Sequence, residues 1–187
     1  MILERQSFDY EGKTIIEKAI IKAPFRYERI FQNEGCFLYF KSSSAKVHSS
    51  EGSMSLAPKE AVLLKCDTYF VDLAEKTQAN TLEIVAVHLF PDILKKLYLN
   101  QLPAIIEKQT KGIKTIQIVD DQIIAKFIES LEFYFQNPSL VNEELMELKI
   151  KELVLLLVQT KNVDSVLTLI SELYSSRTSN FREIINL

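Results

Sequence analysis

The sequence predicts an α+β chain: an antiparallel β-barrel over residues 1–119, then a helical region over 120–175. Three observations predict it. Up to residue 90, short apolar runs alternate with turn signals at roughly 8–12-residue spacing, the pattern of an antiparallel barrel or sandwich. From residue 120 onward, apolar residues recur at helical spacing. No strand–helix–strand alternation and no Gly-rich strand-to-helix turn occurs, which argues against a nucleotide-binding α/β fold.

The strands follow in order. Residues 14–23 carry Ile15, Ile16, Ala19, Ile20 and Ile21 among charges. Residues 36–41 (CFLYFK) are rich in aromatics, which suit a pleated surface. Ser42, Ser43 and Ser44 turn the chain, 45–49 extend it, and Ser50, Glu51, Gly52 and Ser53 turn it again. Residues 54–57 form a short strand and Pro58-Lys59 a turn. Strands at 61–66 and 68–73 follow, then a polar loop at 74–80 and a long strand at 81–90.

Pro91 and Asp92 start a short helical insertion near 91–108, with Ile93, Leu94, Leu97 and Tyr98 at helical spacing. Pro103 interrupts it, and Lys111-Gly112 ends it. Residues 114–119 alternate and return one strand to the barrel. Asp120 or Asp121 caps a helix whose apolar positions are Ile123, Ile124, Phe127, Ile128, Leu131 and Phe135. Asn137-Pro138-Ser139 stops it. Asn142 caps a long helix over 143–160, with Glu143 and Glu144 favoured by the dipole in its first turn. Asn162 or Asp164 opens a further helix through Val166, Leu167, Ile170, Leu173 and Tyr174. Residues 175–178 form a hinge, and Asn180 caps a last segment.

The chain has 187 residues, 47% hydrophobic and 25% charged, with a net charge of -3. It lacks the basic footprint of a domain that binds nucleic acid alone. Lys95-Lys96 reads as a solvated helix face. No signal peptide or membrane-length apolar run is evident, so a cytoplasmic location is expected. Cys36 and Cys66 read as reduced core thiols, without CxxC spacing.

No catalytic residue, metal site or cofactor is expected. There is no GxSxG, P-loop or HxH pair. The two histidines are His48 and His88, and the carboxylate before His88, Glu83, stands at an odd offset and so on the opposite strand face. The paired carboxylates at helix starts are explained by capping. The aromatics Phe25, Tyr27, Phe37, Tyr39, Phe40, Tyr69 and Phe70 fit either a packed core or an apolar pocket. Tyr39, Tyr69 and His88 put polar tips in apolar strands and are the candidate pocket residues.

The helix that reads LMELKIKELVLLLVQ is apolar over more than a single face. It is sandwiched between layers of its own chain or buried against a second copy. Met146, Ile150, Leu153 and Leu157 are the expected homodimer interface.

Residues 36–55 (CFLYFKSSSAKVHSSEGSMS), 60–69, 87–98 (VHLFPDILKKLY) and 148–158 (LKIKELVLLLV) resemble the N-terminal half of AraC-family regulators, the type III secretion activators in particular. The resemblance implies a degenerate cupin-like barrel, a helical dimerisation layer and a helix-turn-helix domain that reads DNA. That domain is expected beyond this chain, because 176–187 resemble a linker and the start of its first helix. The effector implied is a small molecule or a partner protein. The alternatives are a metal-dependent cupin enzyme and a stand-alone ligand-binding barrel.

Overall fold

In the computed structural model, residues 1–31, 34–50, 52–65, 67–73, 81–98, 115–119 and 122–175 are described. Among the described residues, ten strands form: β1 (Ile2–Tyr10), β2 (Lys13–Lys22), β3 (Phe25–Phe31), β4 (Gly35–Phe40), β5 (Ala45–Ser49), β6 (Gly52–Leu56), β7 (Glu60–Leu64), β8 (Asp67–Leu73), β9 (Thr81–Leu89) and β10 (Thr115–Ile118). The helices are α1 (Pro91–Leu97), α2 (Gln122–Gln136), α3 (Glu143–Leu157) and α4 (Val163–Ser175).

The strands fold as a nested antiparallel ribbon: β5 pairs with β6, β4 with β7, β3 with β8, and β2 with β9. That nesting is the jelly-roll arrangement used by cupins. It yields a six-stranded sheet, β1-β2-β9-β4-β7-β10, and a four-stranded sheet, β3-β8-β5-β6. The expected barrel is therefore corrected to an open sandwich, because among the described residues the two sheets share no ladder. One of its strands, β1, was not expected, and β3 was expected only through its barrel aromatics Phe25 and Tyr27, without bounds. β1 is an edge strand whose alternation emerges only at its end, where Phe8 and Tyr10 are buried and Asp9 is exposed.

Alternation sends the large sheet's side chains into two cores. Cys36, Phe40, Val62, Leu64, Leu82 and Ala86 face the small sheet, meeting Phe31, Val47, Tyr69 and Val71. Phe37, Tyr39, Leu63, Val85, Val87 and Leu89 face the helices. The large sheet is thus apolar on both sides, and the helices form a third layer sharing one core with it.

Helix α3 starts as expected, with the Asn142 side chain accepting from the Leu145 N–H at 2.8 Å. Its expected interface stripe, however, is spent within the chain. Met146, Ile150, Leu153 and Leu157 are buried in the sheet–helix core, where α3 packs on β1 and α2. The apolar face left outward carries Leu148 (61% exposed) and Leu155 (50% exposed). Helix α4 approaches β4 closely at Gly35, where a Cβ would lie 2.5 Å from Leu173 Cδ1 and 3.3 Å from the Leu64 carbonyl. Lys18 and Lys41 bind Glu132 of α2 at 3.3 and 3.1 Å, and Lys41 also binds Glu83 of β9 at 2.9 Å, pinning helix to sheet. The expectations for Cys66, 74–80, Pro103, Lys111-Gly112, the Asp120 and Asp121 caps and 176–187 lie outside the described residues.

Candidate functional site

The inner face of the large sheet is not filled by its own side chains at one end. A cavity of about 80 Å³ lies between the sheets, walled by Ala19, Ile21, Leu38, Ile84 and Ala86 of the large sheet and by Phe31, Tyr69 and Val71 of the small one. Arg5, Glu17 and His88 add a charged end to this otherwise apolar lining, and Cys36 also contributes. The volume holds a few water-sized groups, each of which needs roughly 10–15 Å³. A longer guest needs the walls to part.

The charged end is built by strand register. Glu17 lies opposite Ala86 across β2 and β9, and His88 is two residues further along β9, on the same face. Cys36 is the cross-strand partner of His88 on β4. Glu34, directly before β4, approaches from the other side. The His88 ring is 3% exposed; its Nε2 stands 3.2 Å from Glu17 Oε1 and its Nδ1 3.3 Å from Glu34 Oε2. The first contact is a hydrogen bond, whereas the second has ion-pair distance with poor alignment. Arg5 of β1 donates to Glu17 Oε2 through Nε at 2.8 Å and through a terminal nitrogen at 2.5 Å.

Burial alone would raise the Glu17 carboxyl. The hydrogen bond and charge of His88, with those of Arg5, more than offset it and hold the pKa at about 2. Burial alone would lower His88, but Glu17 and Glu34 outweigh it and raise the imidazole above its ordinary value. The array therefore sets the buried His88 ring between two carboxylates that favour its protonated form, with an arginine closing one end. Phe31 and Phe90 flank the ring, at centroid distances of 6.2 and 6.1 Å.

Of the residues singled out from sequence, Tyr69 and His88 line this cavity, with the Tyr69 hydroxyl donating to the Lys65 carbonyl at 2.7 Å. Tyr39 does not: it points from the opposite face of β4 into the helix-side core. His48 sits on the small sheet and pairs with Asp72 at 3.0 Å, so the two histidines have different partners and do not converge. Among the described residues, no group of three or more His, Cys, Asp or Glu side chains is arranged to hold a metal. No described helix is long and apolar enough to cross a membrane.

Sequence reasoning missed Arg5, Glu17 and Glu34. A signal for Glu17 was present. Glu17 and Lys18 are consecutive in a strand, so they face opposite sides, and a sheet covered on both faces leaves neither in water. Lys18 duly meets Glu132 and Glu17 meets His88.

No curated protein sequence matches the chain. Solved structures do. ToxT from Vibrio cholerae strain SCE256, bound to an unsaturated fatty acid, superposes with TM-score 0.55 at 14% identity over 95% of this chain and 69% of that one. ToxT from Vibrio cholerae O395, bound to (E)-4-(8-methylnaphthalen-1-yl)but-3-enoic acid, gives 0.55 at 10% identity over 92% and 70%. A cupin superfamily protein from Desulfitobacterium hafniense gives only 0.39 at 8% identity over 48% and 78%. At such identities the ToxT likeness is one of fold. The chain spans between 63% and 71% of the ToxT chains. The family model of the ExsA N-terminal regulatory domain matches residues 35–169, so the chain belongs to that family and is a regulatory domain of an AraC-type transcription factor.

Proposed function

We propose that this domain receives a small-molecule effector in the inter-sheet cavity and passes its presence to a DNA-binding part outside this chain. The observation that carries the reading is the cavity itself, apolar along its walls and charged at one end by Arg5, Glu17 and His88. Such a lining suits a guest with an apolar body and a polar head. The two ToxT ligands, an unsaturated fatty acid and an aryl butenoic acid, share that design. An apolar carboxylic acid is accordingly the proposed effector class. Arg5, at the rim and already donating to Glu17, has further guanidinium donors to offer a carboxylate.

The test is calorimetric titration of medium- and long-chain carboxylic acids, saturated and unsaturated, into the wild-type chain and into Ala86→Phe, which fills the cavity from β9. Saturable binding that Ala86→Phe abolishes, with folding retained by circular dichroism, supports the proposal. Equal binding to both proteins refutes it.

Homodimerisation belongs to the same reading, through the outward face of α3. Leu148 and Leu155 are seven residues apart, thus on one face, and both are exposed. A single exposed leucine is ordinary; two in line on a helix are a ready contact. Sedimentation equilibrium of the double variant Leu148→Glu, Leu155→Glu checks this. A monomer with unchanged thermal stability is expected, and a wild-type chain that is monomeric at high concentration excludes the dimer.

A further inference from the structure

The outward face of α3 has its two signs of charge on opposite flanks. At about 100° of turn per residue, Leu148 and Leu155 lie about 20° apart around the helix axis. From the line midway between them, Lys151 stands about 50° to one side and Glu152 about 50° to the other, one residue apart in height. The two leucines are 61% and 50% exposed. Lys151 and Glu152 each hold an intrachain partner on the side away from this ridge: Lys151 pairs with Glu147 at 2.8 Å and Glu152 with Lys149 at 2.7 Å. Both keep part of the side chain in water, 34% for Lys151 and 42% for Glu152. The face is therefore an apolar ridge with a cationic flank and an anionic flank at its middle.

We propose that α3 pairs in parallel with α3 of a second copy, about a two-fold axis running along the helices, with Lys151 of each copy against Glu152 of the other. This rests on the outward face of α3 being the homodimer contact, and adds the direction of pairing. A two-fold along the helices turns each flank toward the opposite flank of the other copy. Leu148 then meets Leu148, Leu155 meets Leu155, and the contact between Lys151 and Glu152 is made twice. Each such contact extends a row already present in the chain. It runs from Glu147 through Lys151 to Glu152 and Lys149 of the second copy, and the signs alternate along it.

The antiparallel arrangement is disfavoured by charge. To set Leu148 against Leu155, its two-fold must cross the helices between residues 151 and 152, and each flank then faces itself. Lys151 meets Lys151 and Glu152 meets Glu152, so both middle contacts are repulsive. The parallel pair has a like-charge approach of its own, between the two Glu144 side chains one turn before Leu148. Glu144 is exposed in the first turn of α3, where water and the positive field of the helix N-terminus attenuate that repulsion. A two-fold along α3 also keeps every residue at the same height in both copies. The two α4 helices, which end at Ser175, then finish at one end of the assembly, and two DNA-binding parts following them would stand side by side.

Disulfide trapping reads the direction. Leu148→Cys and Leu155→Cys are made singly in the 187-residue chain, one of them with a purification tag so that mixed dimers are identified by mass. Under mild oxidation each variant should form a covalent dimer with itself well above the wild-type background, while mixed dimers in an equimolar mixture stay at background. Sedimentation equilibrium reads the charges. Lys151→Glu should raise the dimerisation Kd roughly tenfold, and adding Glu152→Lys should return it to near the wild-type value, with folding followed by circular dichroism. Trapping of the mixed dimer alone, or a Kd that Lys151→Glu leaves unchanged, overturns the parallel pairing while leaving the outward face of α3 as the contact. A dimer in which no combination is trapped, or a wild-type chain that is monomeric at high concentration, overturns both.

Discussion

Glu17 and Lys18 are neighbours in sequence, yet they serve different layers, because consecutive strand residues face opposite ways. Glu17 carries a testable charge linkage. Its folded pKa of about 2 lies below its ordinary 4.5, so its stabilisation is fully present above pH 4.5 and is lost as pH falls toward 2. The difference corresponds to about 3 kcal/mol, much of it shared with His88 and not to be counted again there. His88 has the opposite sign: its raised pKa stabilises below 6.5 and that contribution fades as pH rises through the raised value. Glu17→Gln should therefore be less stable than wild type by about 3 kcal/mol at pH 5–6, with the gap closing toward pH 2. Urea unfolding at a series of pH values measures it. A second case is Lys149, buried between the Phe127 and Tyr134 rings and bound to Ser130 at 2.9 Å and Glu152 at 2.7 Å. Its stem packs while its charge is held, so Lys149→Met, which keeps the stem, should change thermal stability less than Lys149→Ala.

At the scale of elements, two local devices fix the helical layer. The Asn142 cap sets where α3 begins. Asn142→Ala should remove about 1 kcal/mol of stability without altering the sheet, as read by chemical denaturation. Gly35 sets how closely α4 lies on β4. Gly35→Ala should cost about 1–3 kcal/mol, since Leu173 is enclosed and the Leu64 carbonyl cannot withdraw. Combining it with Leu173→Ala should cost less than the two single losses summed, a non-additivity that a double-mutant cycle detects. The elements were legible where local chemistry speaks: Pro91 opening α1, Asn142 capping α3, and the aromatic alternation of β4. β1 was not, because Ile2, Leu3, Glu4 and Arg5 are all exposed on an edge and carry no two-residue pattern. Glu34 escaped for a similar reason: it precedes a strand, and only the fold brings it to His88.

For the whole molecule, sequence favoured the correct order of layers and misjudged what α3 buries. Its apolar excess looked like an interface, but the large sheet has two greasy faces, and the second one needed α3 as its cover. A single sequence shows how much of a helix is apolar, not which surface will claim it. Leu153, buried between sheet and helices, should then behave as a core residue. Leu153→Glu is expected to lower stability by more than about 3 kcal/mol and lose cooperative unfolding, in place of yielding a folded monomer. Leu155→Glu on the outer face should leave the melting temperature within about 3 °C of wild type.

The doubly covered sheet also shortens the path along which any signal must travel. Val87 touches the helical layer and His88, the next residue, touches the chamber. β9 is in effect a party wall between two rooms: a push on one surface is felt on the other across the thickness of one backbone. No relay of distant side chains is required for the occupant of one room to be sensed in the next.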